Sequence, residues 1–253
     1  VVEVITVVAI IALITAIVLP AMRLARHSAR TAACLSQVRA LQQAHLSYAT
    51  DHRGLLADVG FPHGGLGFPE QSFITTLKPW LDDERALHSP LDRSVHWPSS
   101  AGGEGIAVPA SGGALRRSSY GMNNYLSRNF SPAAALDPGT AADRLSRIPA
   151  PASTAMVLFM AEEGPFAGSD HPHVEEWWVS AQAADAPPVI ASSQVATGAA
   201  GGKAKSWDAR SNWGFVDGHV ATLPFGEIYH SNQINRLDPQ VAGTFTARTS
   251  GGS

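Results

Sequence analysis

The sequence predicts an α+β protein, with a long N-terminal helix packed on a loop-rich head that carries an antiparallel sheet. Three observations predict it. The first twenty residues, VVEVITVVAIIALITAIVLP, hold a single charge, Glu3. Residues 21–53 then switch to an amphipathic pattern. Beyond residue 54, short apolar runs alternate with turn-forming residues.

Residues 1–20 are apolar all round and long enough to cross a bilayer. An ionised side chain at the centre of such a helix costs about 2.5–3.5 kcal/mol, so Glu3 implies a partner or a place near the headgroups. A secretory signal peptide would show a basic segment before the apolar core and a small-residue cleavage site after it. Here the chain begins inside the apolar run, so a basic leader is expected to have been removed.

After Pro20 come Arg23, Arg26, Arg30 and Arg39, interleaved with Leu24, Leu35, Val38, Leu41 and Tyr48. Those apolar positions recur at helical spacing. One helix over residues 1–51 is predicted, ended by Gly54 and about 75 Å long at 1.5 Å per residue. No small domain buries a helix of that length, so its first half must find lipid or copies of itself. Pro20 removes a backbone donor where the character changes, which predicts local weakness over residues 16–20.

The predicted organisation is an apolar membrane or filament-core helix at 1–20, its amphipathic continuation at 21–53, a head at 54–247 and a flexible tail at 248–253. The 253 residues are enough for one head of about 200 residues. A net charge of −3 argues against a nucleic-acid footprint. Cys34 is the only cysteine, which excludes an intrachain disulfide and reads as a small buried hydrophobe. The 23 glycines and 17 prolines cluster between short strands, and residues 192–205 (SSQVATGAAGGKAK) read as an exposed loop.

Within the head, residues 119–124 (SYGMNN) and 153–162 (STAMVLFMAE) read as central strands. Asp217-Gly218 lies between two apolar runs in SNWGFVDGHVATL, the signal for a hairpin with a type I′ turn. The six tryptophans, Trp80, Trp177, Trp178 and Trp213 among them, suit either core packing or an aromatic surface for a glycan or partner.

Type IV pilins and type II secretion pseudopilins carry Glu as the fifth residue of the mature chain and often a proline seventeen residues later; Glu3 and Pro20 have that spacing, and the N-terminal helix resembles theirs. The match makes Val1 equivalent to the third residue of a mature pilin. In the head, residues 33–48 (ACLSQVRALQQAHLSY), 51–54 (DHRG), 87–94 (LHSPLDRS), 119–124, 153–162 and the Asp217-Gly218 segment resemble, in order, the motifs of large-headed pilin-like proteins with a prepilin-type N-terminus and a DG-containing C-terminal motif. Two positions depart from that pattern. Ser89 replaces a Cys, and Trp207 stands where many relatives have a His.

The resemblance implies a subunit of an extracellular type IV pilus-like filament, processed by prepilin peptidase and methylated at its N-terminus. It would be held in the inner membrane before assembly and then polymerised with identical subunits by pilus or secretion machinery, for adhesion or surface interaction. Glu3 and Pro20 are its assembly residues, with Glu3 paired to a neighbour's N-terminal amine. A minor pseudopilin of a type II secretion-like system and a membrane-anchored glycan- or metal-binding module are the alternatives.

Chemistry-bearing clusters are few. The segment DHPHVEEWW at 170–178 puts His171, His173, Glu175 and Glu176 at a spacing that could hold a divalent metal, although it reads first as a solvated turn leading into a Trp-rich strand. Glu162 and Glu163 could bind calcium by analogy with secretion pseudopilins, without EF-hand spacing. Asp217 and His219 form a candidate carboxylate–imidazole pair best read as turn-making. With no phosphate loop, no GxSxG elbow and no CxxC pair, an enzyme is not expected, nor a required cofactor.

Overall fold

A computed structural model of the chain describes residues 2–63, 67–81, 83–137 and 139–245; Val1 and the tail at 248–253 lie outside them. Helix α1 spans Val2–Asp51. All residues from 2 to 30 are exposed, and burial begins at Cys34. From there Cys34, Val38, Leu41, Ala44, His45 and Ala49 are buried at helical spacing, the stripe that faces the head.

The helix runs unbroken through Pro20. Proline removes one hydrogen bond, and the intact turns on either side carry the helix across it. The two threonines of the apolar half hide their hydroxyls within the helix: Thr6 and Thr15 donate to the carbonyls of Val2 and Ile11 at 3.0 and 2.7 Å. The far end closes with Arg53 at φ +56° and Gly54 at φ +80°, and the Gly54 N–H donates to the Ala49 carbonyl at 2.7 Å. That six-to-one bond is a Schellman closure with arginine in the left-handed position. Arg53→Gly should therefore raise stability by about 0.5 kcal/mol in urea denaturation, since glycine meets no Cβ penalty there; an unchanged or lower midpoint would show that the left-handed residue carries no strain.

The head is built on a four-stranded antiparallel sheet in sequential order: β1 (Tyr120–Met122), β2 (Ala155–Phe159), β3 (Arg210–Phe215) and β4 (Val220–Pro224). A separate hairpin pairs β5 (Tyr229–Ser231) with β6 (Ile234–Asn235). Strand β2 is central and fully buried, but β1 is an edge strand rather than the central one its apolar pattern suggests. Its outer edge is covered, because the Met122 N–H donates to the Asp170 carbonyl at 2.8 Å. An edge protected in this way can be as apolar as an interior strand.

Two cores lie on the two faces of the sheet. On the helix side, Cys34, Val38 and Leu41 pack with Tyr120, Met122, Val157 and Phe159. On the other, Leu158 and Met160 pack with Trp177, Trp213, Phe215, Phe225 and Tyr229. Trp177 and Trp213 are thus core residues, 0% and 1% exposed. The helix-facing positions of β3 are Asn212 and Gly214. A Cβ on Gly214 would lie 2.8 Å from Gln42 Nε2, so the glycine leaves room for the Gln42 side chain between helix and strand. Gln42 Nε2 then donates to the Phe215 carbonyl, Asn212 Nδ2 to the Thr31 carbonyl at 3.0 Å, and Tyr120 Oη to Gln37 Oε1 at 2.8 Å.

Two loop expectations are corrected. The β3–β4 connection is not a type I′ turn. That turn needs positive φ at Asp217 as well as at Gly218, and only Gly218 has it, at +95°. The loop holds three residues, 216–218, closed by bonds from the Gly218 N–H to the Phe215 carbonyl and from the Phe215 N–H to the His219 carbonyl. Residues 192–205 are not an exposed loop throughout. Gln194, Val195 and Thr197 are buried, and the Ala196 N–H donates to the Phe159 carbonyl at 2.8 Å. The small side chains let this backbone run against the end of β2 instead of into solvent.

Candidate metal centre and N-terminal helix

The segment after the 3-10 turn Pro165–Gly168 crosses close to β1. A Cβ on Gly121 would meet the Asp170 carbonyl at 2.9 Å and Met160 Sδ at 2.3 Å, so the glycine of SYGMNN lets the Asp170 segment lie against the strand. Asp170 and His171 are fully buried there. A 3-10 turn, Val174–Glu176, follows, and Trp177 enters the core. The expected solvated turn leading into a strand is therefore corrected. The physical reason is the number of donors that Asp170 collects.

The Asp170 carboxylate accepts from the N–H groups of Gly60 and Phe61 at 2.9 and 3.0 Å, from the Ser72 hydroxyl, and from His171 Nδ1 at 2.8 Å. Three of these donors lie about a hundred residues earlier in the chain, so Asp170 fastens the loop at 58–72 to the segment at 170–175. That loop carries His63. His63 Nε2 lies 3.2 Å from His171 Nε2 and 3.1 Å from His173 Nε2. Among the described residues this trio is the one His, Cys, Asp or Glu group whose ligand atoms converge, all within 4.8 Å of one another.

Each of two rings is oriented from behind by a carboxylate. His171 Nδ1 is held by Asp170, and His173 Nδ1 by Glu175 Oε1 at 3.0 Å. Glu175 is itself held by Asn124 Nδ2 at 2.7 Å. Burial acts to raise the Glu175 pKa, but the hydrogen bonds from His173 and Asn124 outweigh it and leave it lowered. The Glu175 hydrogen bond raises the pKa of His173. His63 is pushed down to about 4 by burial first and then by the two neighbouring imidazoles. The walls are aromatic: Phe166 stacks on His63 and Phe130 tilts against His171, each with ring centroids 4.4 Å apart.

Of the residues singled out from the sequence, His171 and His173 meet in this cluster. Glu175 stands behind His173 instead of among the converging atoms. Glu176 accepts from Gln194 at 3.1 Å. Glu162 lies outside the cluster and accepts from the Arg93 N–H at 3.2 Å; burial, and then Asp92, pushes its pKa up. Glu163 is exposed. Asp217 is bonded on its hairpin to His219, 2.6 Å from Nδ1 and 3.1 Å from the backbone N–H. His63 is the member that sequence reasoning missed; its only signal is a histidine in a proline–glycine loop, FPHGG.

The two residues that the resemblance marks for assembly, Glu3 and Pro20, lie on the N-terminal half of α1. Glu3 is in the first turn of α1, exposed like its apolar neighbours, and Pro20 is exposed at the end of the same apolar segment. This helix is long and apolar enough to cross a membrane.

Fold and site together define a class: an α+β head on a protruding apolar N-terminal helix, with a three-histidine cluster at the edge of the sheet. Comparison with known protein families, curated proteins and solved structures finds no match.

Proposed function

We propose that this chain is a structural subunit of an extracellular type IV pilus-like filament, assembling through α1 and serving adhesion or surface interaction. The observation that carries the reading is the exposed apolar stretch at 2–20, continuous with a half-helix locked into the head. Side chains from Val4 to Leu19 carry no charge and present an apolar surface far larger than a soluble monomer leaves to water. Lipid and a bundle of identical helices are two dry environments that satisfy it equally. The helix meets its own backbone hydrogen bonds in both, so transfer from membrane to filament needs no large desolvation.

In this reading the subunit waits in the inner membrane after prepilin peptidase has acted. The assembly machinery then moves the apolar half into the filament core. Glu3 pairs there with the N-terminal amine of a neighbour, which relieves a buried charge and sets the axial register.

Glu3→Ala should leave the head folded by circular dichroism but reduce filaments in sheared surface material about tenfold or more, as expected for loss of a buried charge pair. Abundant normal filaments from that variant would refute the proposal, as would sheared wild-type cells that yield no filaments of this chain.

A further inference from the structure

We infer that His63, His171 and His173 bind one divalent transition-metal ion of the zinc class through their Nε2 atoms. The site leaves a fourth coordination position to water or an exogenous donor. This inference is independent of filament assembly.

The three ligand atoms lie within 4.8 Å of one another, close enough for small ring rotations to bring them onto one ion. Zinc holds imidazole nitrogens at about 2.0–2.1 Å, which puts two nitrogens of a tetrahedron about 3.3–3.4 Å apart. His63 Nε2 stands 3.2 and 3.1 Å from the other two Nε2 atoms. Hydrogen bonding among the rings can fully satisfy only one of these two contacts. Because Asp170 and Glu175 are hydrogen-bonded to the Nδ1 atoms of His171 and His173, the Nδ1–H tautomer is assigned to both rings, and their Nε2 lone pairs point inward. A neutral His63 has one proton to offer at Nε2, and it faces two acceptors. A cation at the centre satisfies all three.

The surroundings are those of a built site. Carboxylates behind the ligating rings fix tautomer and orientation and raise ligand basicity, the arrangement that supports metal-bound histidines generally. Asp170 is held by two backbone N–H groups and Ser72, and Glu175 by Asn124, so neither carboxylate is free to turn inward. Three imidazoles favour zinc, copper or nickel over calcium or magnesium, which prefer oxygen donors. His171 is fully buried while His63 and His173 are partly exposed, so the centre reaches the surface at its fourth position. An ion here would also clamp the loop bearing His63 to the segment at 170–175.

The test uses the full chain, without a histidine tag, solubilised in detergent and stripped with a chelator. Titration with Zn2+ against a chromophoric competitor should show one equivalent bound, and Co2+ should give the intense visible absorption of a tetrahedral site. His63→Ala should weaken Zn2+ binding at least a hundredfold. Glu175→Gln should weaken it about 10–100-fold through His173. His219→Ala, on the exposed hairpin, should leave it unchanged. Circular dichroism checks the fold of each variant, and the partly exposed His63 keeps the test decisive if a buried His171 variant does not fold. Absence of stoichiometric binding, wild-type affinity in His63→Ala, or equal competition by Ca2+ would overturn the inference.

Discussion

Arg116→Met is expected to destabilise the head by about 3–5 kcal/mol, because it strands a buried carboxylate. Arg116 is 1% exposed, and its Nε lies 2.8 Å from Asp92 Oδ2. Its Nη1 donates to the carbonyls of Ala161 and Ala167, and its Nη2 to that of Met160. One side chain thereby closes the end of β2, the turn before Asp170 and the Asp92 turn. Asp92 also accepts from the Ser119 hydroxyl at 2.6 Å and the Ser94 N–H at 2.9 Å. Burial pulls the guanidinium pKa down, with Asp92 opposing the shift.

Methionine fills much of the volume and supplies no donor. Urea denaturation of the solubilised chain, followed by the fluorescence of buried Trp177 and Trp213, measures the loss. Arg116→Lys should recover part of it, since a lysine keeps the charge but not the forked geometry that reaches three carbonyls. A loss below about 1 kcal/mol for Arg116→Met would place the pair among dispensable ion pairs. The Asp92–Arg116 contact is also the physical content of the SPLDRS turn: the aspartate serves the fold, and it does so with Ser89 in place of a cysteine.

The second large effect is acid sensitivity centred on His45. This residue sits on the buried face of α1, beside Phe73, and neither ring nitrogen has a hydrogen-bond partner. Burial lowers its pKa from 6.5 to about 3. Its folded-state pKa is therefore below its unfolded value, and the unfolded chain binds the extra proton. Stability is fully present above pH 6.5 and falls as the pH drops from 6.5 toward 3. At 1.36 kcal/mol per unit, the loss reaches about 3 kcal/mol near pH 4.

His45→Leu should remove that slope and add about 1 kcal/mol at neutral pH by deleting an unsatisfied buried N–H. The comparison with wild type isolates His45 from other acid-sensitive groups, His63 among them. Identical pH profiles of unfolding for the two proteins would show that the ring is hydrated in solution. Because His45 lies on the stripe that locks α1 to the head, its protonation would loosen the contact that holds the apolar half as a fixed rod.

The legible parts of this chain are those written in local patterns. Apolar positions three and four apart predicted the helix and part of the face it buries: Cys34, Val38 and Leu41 lie on it, whereas Leu24 is exposed. The AMVLF run predicted a buried strand, and Asp-Gly predicted the β3–β4 hairpin. Less legible was anything that depended on what lay across from a segment. SYGMNN reads as an interior strand, and it is an edge strand covered by Asp170. SSQVATGAAGGKAK reads as solvent-exposed, and its residues 194–196 pair with the end of β2. Asp217 kept ordinary backbone geometry because its carboxylate bonds His219 while Gly218 alone takes the left-handed position.

The histidine cluster marks the same boundary. His171 and His173 are visible as neighbours in DHPHVEEWW, but no spacing rule connects them to His63 more than a hundred residues earlier. By itself, the sequence determined the protruding apolar helix with its lone Glu3, the amphipathic continuation and an antiparallel head, because helical and strand periodicity are properties of consecutive residues. Only the tertiary structure decided that Asp170 would gather donors from a distant loop and thereby bring three imidazoles together. Convergence of that kind depends on how loops cross the sheet edge, which in turn depends on a glycine at 121 and on partners that no local window contains.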